Sequence, residues 1–176
     1  MNVEIRPAAV ADAAAIARIY NHGIEDRVAT FETRLQTAAE LADSIAKTGS
    51  RPFLIAEREG DVAGWARLGE YSPRQCYAGV GEASVYIERR ARGRGLGRLL
   101  VGALAEAAER AGYWKVLGLL FPTNAASVAL FRGAGFSEVG VHRRHGRLDG
   151  RWRDVVVVEL LLPLAEKDFT DSSAPA

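Results

Sequence analysis

The sequence predicts an α/β fold, with a mixed, twisted central sheet and helices on both faces. Three observations carry this. A strand ending in Val85-Tyr86-Ile87 feeds a loop with Gly93, Gly95 and Gly97 at alternate positions, and that loop opens into a helix. The helix is followed by the apolar run Lys115–Leu120, so a strand, helix, strand series surrounds the glycine loop. Hairpin patterns lie on either side of that series, which adds antiparallel strands to a parallel pair.

Val3 to Arg6 alternates and predicts a first strand, which Pro7 ends. Ala11 to about Tyr20 predicts an amphipathic helix on the spacing Ala15, Ile16, Ile19, Tyr20, with Asn21-His22-Gly23 breaking or bending it. Val28 to Phe31 reads as a short extended segment. Thr37-Ala38-Ala39-Glu40 matches a capping box and starts a helix to about Lys47. Phe53–Glu57 and Val62–Leu68 pair around the turn Glu59-Gly60-Asp61, and Glu70–Gly79 is a polar loop. Gly81–Glu88 is the strand before the glycine loop. The next helix shows Leu96, Leu99, Leu100, Leu104, Ala107 and Ala108 on one face and ends at Gly112. Ala125–Arg132 is a short helix that Gly133 and Gly135 end. Phe136–Val141 reads as a strand, His142–Arg151 as a polar hairpin loop turning at Asp149-Gly150, and Trp152–Leu162 as a long last strand.

Length and composition set limits. At 176 residues, 48% hydrophobic and 26% charged, the chain is an ordinary globular domain. We expect one domain over 1–165 and a small, polar, disordered tail over 166–176. A net charge of +1 asks for neither nucleic acid nor an acidic membrane. The one cysteine, Cys76, permits no internal disulfide and fits a reducing cytoplasm. The start of the chain lacks a signal-peptide pattern, and no apolar run is long enough to span a bilayer.

The glycine loop is a phosphate device. Glycine lets the backbone approach an anion and adopt φ > 0. Successive N–H groups can point inward as a nest, and the helix N-terminus adds its unpaired donors and dipole. Arg92, Arg94 and Arg98 add charge at the same spot. The segment gives neither the dinucleotide fingerprint nor a P-loop. Five arginines between Arg89 and Arg98 would also suit RNA, but they sit in a glycine loop rather than along a helical stripe, which favours a small polyanion. A plain Gly/Arg surface turn is the bland alternative.

Arg92-Gly93-Arg94-Gly95-Leu96-Gly97, then Asn124-Ala125-Ala126-Ser127, then Gly135-Phe136 together resemble the motifs of the GNAT N-acetyltransferases. Within that superfamily the chain is similar to the phosphinothricin acetyltransferases. Ile5-Arg6-Pro7-Ala8 with Asp12, Asn21-His22 followed by Thr30-Phe31-Glu32-Thr33, Glu82–Ile87 and Gly150–Val155 carry this likeness. The wording of Tyr20-Asn21, Cys76–Gly79 and His145–Gly150 resembles the arsinothricin-resistance acetyltransferases.

The resemblance implies a GNAT fold, acetyl-CoA as co-substrate, no metal and a homodimer whose last hairpin crosses to the partner. It places Glu82 as the base that takes a proton from the acceptor amine, directly or through water. Backbone groups of Val85, Tyr86 and Ile87 would serve the thioester and pantetheine. Gly93, Arg94, Gly95, Leu96, Gly97 and Arg98, with Arg92, would hold the pyrophosphate. Asn124 would bond the pantetheine arm, cap the next helix, or do both; Ser127 would touch the donor or only pack. Position 131, a tyrosine in many relatives, is Phe131, so that general acid is missing.

The implied acceptor is a small amino acid with a second anionic head: phosphinothricin, arsinothricin, methionine sulfone or sulfoximine. Phe31, Arg74, Tyr77 and Tyr86 would form its site; strand alternation leaves open whether Tyr86 faces pocket or core. Arg74 could instead be an ordinary surface arginine. Ser72 and Asp149 replace a lysine and a histidine of the phosphinothricin enzymes, which removes positive charge. Trp65, Trp114 and Trp152 read as core or interface, and His142 and His145 lack metal-ligand spacing. The competing readings are a protein N-terminal or lysine acetyltransferase on the same fold, and a non-catalytic CoA- or nucleic-acid-binding module.

Overall fold

The computed structural model describes residues 3–167. Seven strands, β1 (Val3–Pro7), β2 (Phe53–Arg58), β3 (Asp61–Glu70), β4 (Val80–Ile87), β5 (Lys115–Leu120), β6 (Ser137–Leu148) and β7 (Arg151–Leu161), make one sheet in the order β1-β2-β3-β4-β5-β7-β6. Of these pairings only β4 with β5 is parallel. Helices α1 (Ala13–Asp26) and α2 (Ala38–Ala46) cover one face, and α3 (Leu96–Arg110) and α4 (Ala125–Gly133) the other; α5 (Leu164–Lys167) is a single turn after β7. The mixed sheet between two helical layers is therefore as expected. The tail expected over 166–176 lies, from residue 168 on, outside the described residues.

Strand alternation builds the two cores. On β3, Trp65 packs with Phe53, Ile55, Ile16, Ile19, Leu41 and Ile45 under α1 and α2. Its neighbours Ala66 and Leu68 face the other way, into Leu100, Leu104 and Ala108 of α3 and Val116 and Val158 of the sheet. Leu100 is fully buried, and its removal would cost about 2–5 kcal/mol. The capping box at α2 forms as read: Thr37 Oγ1 accepts from Glu40 N, and Glu40 accepts from Thr37 N. A polar clamp joins β1 to the turn before α1. Arg6 donates to both carboxylate oxygens of Asp12, at 2.8 and 2.9 Å, and Asp12 also accepts from Ala9 N at 2.8 Å.

Four expectations are corrected. Helix α1 runs through Asn21-His22-Gly23 to Asp26. Gly23 is there for space and not as a stop: a Cβ would fall 2.6 Å from the Tyr86 ring. Val28–Phe31 forms no strand and serves as wall and cover of the site. In α3, Val101 is buried where Leu99 was expected, and Leu99 is exposed. Finally, His142–Leu148 is strand and not loop. A register shift lies between His142 and Gly146, with Arg144 at φ +52°. The stretch lies at the sheet edge and is exposed from His142 to His145, so its polar sequence looked like a loop. The turn at Asp149-Gly150 is as read, with both residues at positive φ.

The feature that positions the site is the parting of β4 from β5. Their pairing ends at Glu82 with Leu117. Beyond it β5 pairs only with β7, while β4 continues against β3 as far as Ile87. From Ala83 to Ile87 the edge of β4 turned toward β5 has no strand partner.

Candidate active site

A groove and a cavity meet at that parting. The groove, about 340 Å³, is lined by Val85, Tyr86, Ile87, Arg92, Gly93, Gly95, Leu96, Gly97, Arg98, Asn124, Ser127 and neighbours. Gly93 and Gly95 lie at φ +74° and +79°, where a side chain would be strained. Gly95 caps α3 without a side chain, so the first-turn N–H groups are left for a ligand. Gly97 serves packing instead, since a Cβ there would come 2.9 Å from Leu130 of α4. The open β4 edge, the uncapped helix end and the glycine backbone together fit a long thin ligand with a phosphate group at one end.

Arg92 is already engaged. Its Nη1 meets Asp26 at 2.9 Å and its Nε donates to Ile87 O at 3.2 Å. Arg89 joins the same carboxylate at 2.7 Å. Arg98 lines the groove, is exposed, and makes no ion pair among the described residues, which leaves its charge available to an anion.

The second cavity, also about 340 Å³, is lined by Tyr20, Phe31, Glu32, Arg67, Glu82, Ser84, Phe121, Phe131, His145 and others. It shares Ala29, Val85, Tyr86, Asn124 and Ser127 with the groove. Glu82 faces it from β4. Burial pushes this carboxyl above its ordinary value, and the positive charge of Arg67 partly offsets the rise. A carboxylate so placed is a better proton acceptor than one in water. Tyr86 lies on the face with Glu82, four residues further along β4, and its ring stacks on Trp65 at 4.7 Å and meets Tyr20 edge-on at 4.9 Å. Burial raises its phenol, which keeps it protonated. Asn124 caps α4 by accepting from Ser127 N, and its amide donates to Val28 O. Phe31 covers the cavity, edge-on to Phe121 at 4.8 Å and packed with Leu148 and Val155.

The residues of this junction belong to a recognisable pattern. A family model described as an acetyltransferase (GNAT) domain matches residues 5–157. The chain belongs to the GNAT acetyltransferase family. It is 38% identical over 154 residues to a phosphinothricin N-acetyltransferase of Streptomyces viridochromogenes, covering 87% of this chain and 84% of that one. It is 34% identical to an L-methionine sulfoximine/L-methionine sulfone acetyltransferase of Pseudomonas paraeruginosa, covering 92% and 96%. A solved structure from Salmonella typhimurium with its cofactor acetyl-CoA superposes with a TM-score of 0.89 at 30% identity, over 100% of this chain and 99% of that one. The GNAT chain described here is thus an acetyl-CoA-dependent N-acetyltransferase.

For this GNAT enzyme the structure brings together Glu82, Val85, Tyr86, Asn124, Ser127 and Phe31, and lays Arg92 to Arg98 along the groove, with Arg94 alone not among the lining residues. It does not bring Arg74 and Tyr77 to Glu82. They line a separate hollow of about 230 Å³ with Arg51, Glu70 and Tyr113. Phe131 is buried and lines the second cavity, offering no hydroxyl there. Sequence reading missed Arg67, Tyr20, Phe121 and Asp26. Arg67 alternates with buried apolar residues on β3 and looks like the solvent side of a hairpin, so no local signal marked it. Among the described residues no group of acidic, His or Cys side chains could hold a metal. No helix there is long and apolar enough to cross a membrane.

Proposed function

We propose that the enzyme acetylates the α-amino group of a small free amino acid with an oxyanion-rich side chain, of the phosphinothricin, arsinothricin or methionine sulfone and sulfoximine type. The observation that carries this is the cover over the acceptor cavity. Phe31 lies under the β6–β7 hairpin, against Gly146, Leu148 and Val155, and the hollow beneath is about 340 Å³. Such a space suits one amino acid, whereas a protein acetyltransferase needs an open groove for a chain. Relatives named for phosphinothricin and methionine sulfone support the same acceptor class.

In this reading the donor's pyrophosphate sits on the backbone of Gly93 to Gly97 with Arg98, and its pantetheine lies along the unpaired edge from Val85 to Ile87. When bound it supplies a thioester carbonyl at the junction. Glu82, directly or through water, takes a proton from the acceptor ammonium, which is mostly protonated near neutral pH. The amine forms the C–N bond and the C–S bond breaks. With Phe131 in place of a tyrosine the sulfur leaves as thiolate, which a thiol pKa of about 8.5 makes feasible.

The enzyme works as a cytoplasmic homodimer in this proposal. Exposed Val139 and Val141 on the edge strand β6, with Trp152 and Leu161 on its neighbour β7, support a contact at that end of the sheet. Arg74 and Tyr77 serve the acceptor only if they reach it across that interface. Against an RNA-binding reading, Arg89 and Arg92 are neutralised by Glu25 and Asp26 rather than displayed. A thiol-release assay with acetyl-CoA across phosphinothricin, arsinothricin, methionine sulfone and methionine sulfoximine tests the proposal. Turnover of any of them supports it; silence on all four, with turnover of a peptide N-terminus, would transfer the chain to the protein-acetylating class.

A further inference from the structure

Arg67 lines the acceptor cavity and makes no ion pair among the described residues. It stands on β3 opposite Ser84, so its side chain leaves the sheet on the face that carries Glu82 and Tyr86. The guanidinium is held at one point: Nη1 donates to Ser44 Oγ of α2 at 3.2 Å. Its Nε is buried and has no hydrogen-bond partner. Arg153 Nε is likewise buried and unpartnered, but Arg153 lines neither the groove nor the cavity. Arg6 has Asp12 at 2.8 Å and Glu57 at 2.9 Å, and Arg89 and Arg92 share Asp26. Arg67 forms no ion pair with any carboxylate among the described residues. Glu32 lines the same hollows and does not pair with it. A half-buried guanidinium with unused donors is unfavourable unless a ligand completes it.

Its position says which part of the ligand. The residues common to groove and cavity are Ala29, Val85, Tyr86, Asn124 and Ser127, and this is where the acetyl group must arrive. The acceptor amine belongs there, beside Glu82. Arg67 lines the cavity and the polar hollow behind it, with Gln36, Glu40 and Ser44, but not the donor groove. Its backbone lies beside Glu82 and Tyr86, but its guanidinium reaches Ser44 of α2, which lines the polar hollow and neither the cavity nor the groove. The cavity walls at Phe31, Leu119, Phe121 and Phe131 are apolar and offer an anion nothing.

We infer that Arg67 binds the oxyanion head of the acceptor's side chain, with Ser44 steadying the guanidinium from α2. This rests on the reading of the site as that of an amino acid N-acetyltransferase. A guanidinium matches the paired oxygens of a phosphinate as it does those of a carboxylate. Arg67 thereby selects acceptors by the charge of the head, and Glu82 acts on the amine at the other end. The same charge holds the Glu82 carboxyl down, which gives a second readout.

The test is calorimetric titration of phosphinothricin and of methionine sulfone, whose head is neutral, into wild-type enzyme and Arg67→Gln, with CoA present, alongside turnover with acetyl-CoA. Arg67→Gln should weaken phosphinothricin binding about tenfold or more and methionine sulfone less than about threefold, the loss of a charge-assisted contact. The acid limb of kcat against pH should also move upward. Arg67→Lys, which keeps charge and bulk, covers the case in which the glutamine variant folds poorly. It should lose affinity for phosphinothricin only, and by less. Equal losses on both acceptors, no loss on either, or no binding of phosphinothricin to wild type would overturn the inference. Binding without turnover would instead overturn the acetyl-transfer reading and leave Arg67 as an anion site.

Discussion

Gly146 and Phe31 touch across the cover of the acceptor cavity: a Cβ built on Gly146 would lie 2.7 Å from the Phe31 ring. The ring is held from below by Phe121, so it has little room to retreat. Gly146→Ala should therefore tilt Phe31 into the cavity. We expect the KM for the amino acid to rise several-fold while the KM for acetyl-CoA stays within about twofold, since none of the groove residues is disturbed. Steady-state kinetics with each substrate varied in turn checks this. A matched rise in both KM values would mean that the hairpin does not cover the acceptor.

Glu82→Gln removes the proton acceptor and keeps the shape. The kcat should fall by about 10²-fold or more, with acetyl-CoA binding unchanged by calorimetry. In the wild type the active form is the carboxylate. Because burial raises its pKa above the ordinary 4.5, activity should be lost on acidification at a higher pH than for a solvated glutamate. A pH profile of kcat with an acid limb at or below 4.5 would remove Glu82 from the role.

At Gly95 the backbone is left-handed, φ +79°, and forms the mouth of the phosphate loop. Gly95→Ala should cost about 1 kcal/mol of stability from the conformation alone. The larger effect should be on the donor, with the KM for acetyl-CoA raised tenfold or more and the acceptor KM little changed. Thermal unfolding and initial rates separate the two.

Asp12 carries three hydrogen bonds, two from Arg6 and one from Ala9 N, and it is buried. Asp12→Ala should destabilise the fold by about 2 kcal/mol, as expected for charge-assisted bonds lost at a partly buried site. The hydrogen bonds from Arg6 hold the Asp12 carboxyl below its ordinary 3.8. A depressed carboxylate stabilises the fold at pH above that ordinary value, and the contribution is lost as pH falls through the lowered one. Urea unfolding should accordingly show a gap between wild type and variant that is full at neutral pH and narrows below about pH 4. A gap independent of pH would assign the effect to packing.

Elements with a strong period or a specific cap were legible in the sequence. The Thr37–Glu40 box, the Lys115–Leu120 strand and the glycine loop each rest on local chemistry, and each is found where that chemistry put it. What was not legible depended on tertiary neighbours. Gly23 reads as a helix stop until the Tyr86 ring beside it is known. The polar stretch from His142 reads as a loop because an edge strand needs no apolar face. The site followed the same division: Glu82, Asn124 and the loop came from motif spacing, whereas Arg67 has no motif and is identified only by its lack of a partner. Arg74 and Tyr77 are placed at the acceptor by resemblance alone, and within one chain they line a separate hollow.

The parting of β4 and β5 also bears on the order in which substrates add. The acceptor's room and the donor's groove share Val85, Tyr86, Asn124 and Ser127, so the acceptor has one wall missing until the donor lies along the bare strand edge. A donor seated there would close the seam, and the amino acid would then meet a finished chamber. Acetyl-CoA is therefore expected to bind before the amino acid, and initial-rate kinetics with dead-end inhibitors checks this. The free enzyme, with its seam open to water, should gain about 2.7 kcal/mol of unfolding resistance when the donor reaches a hundredfold its Kd.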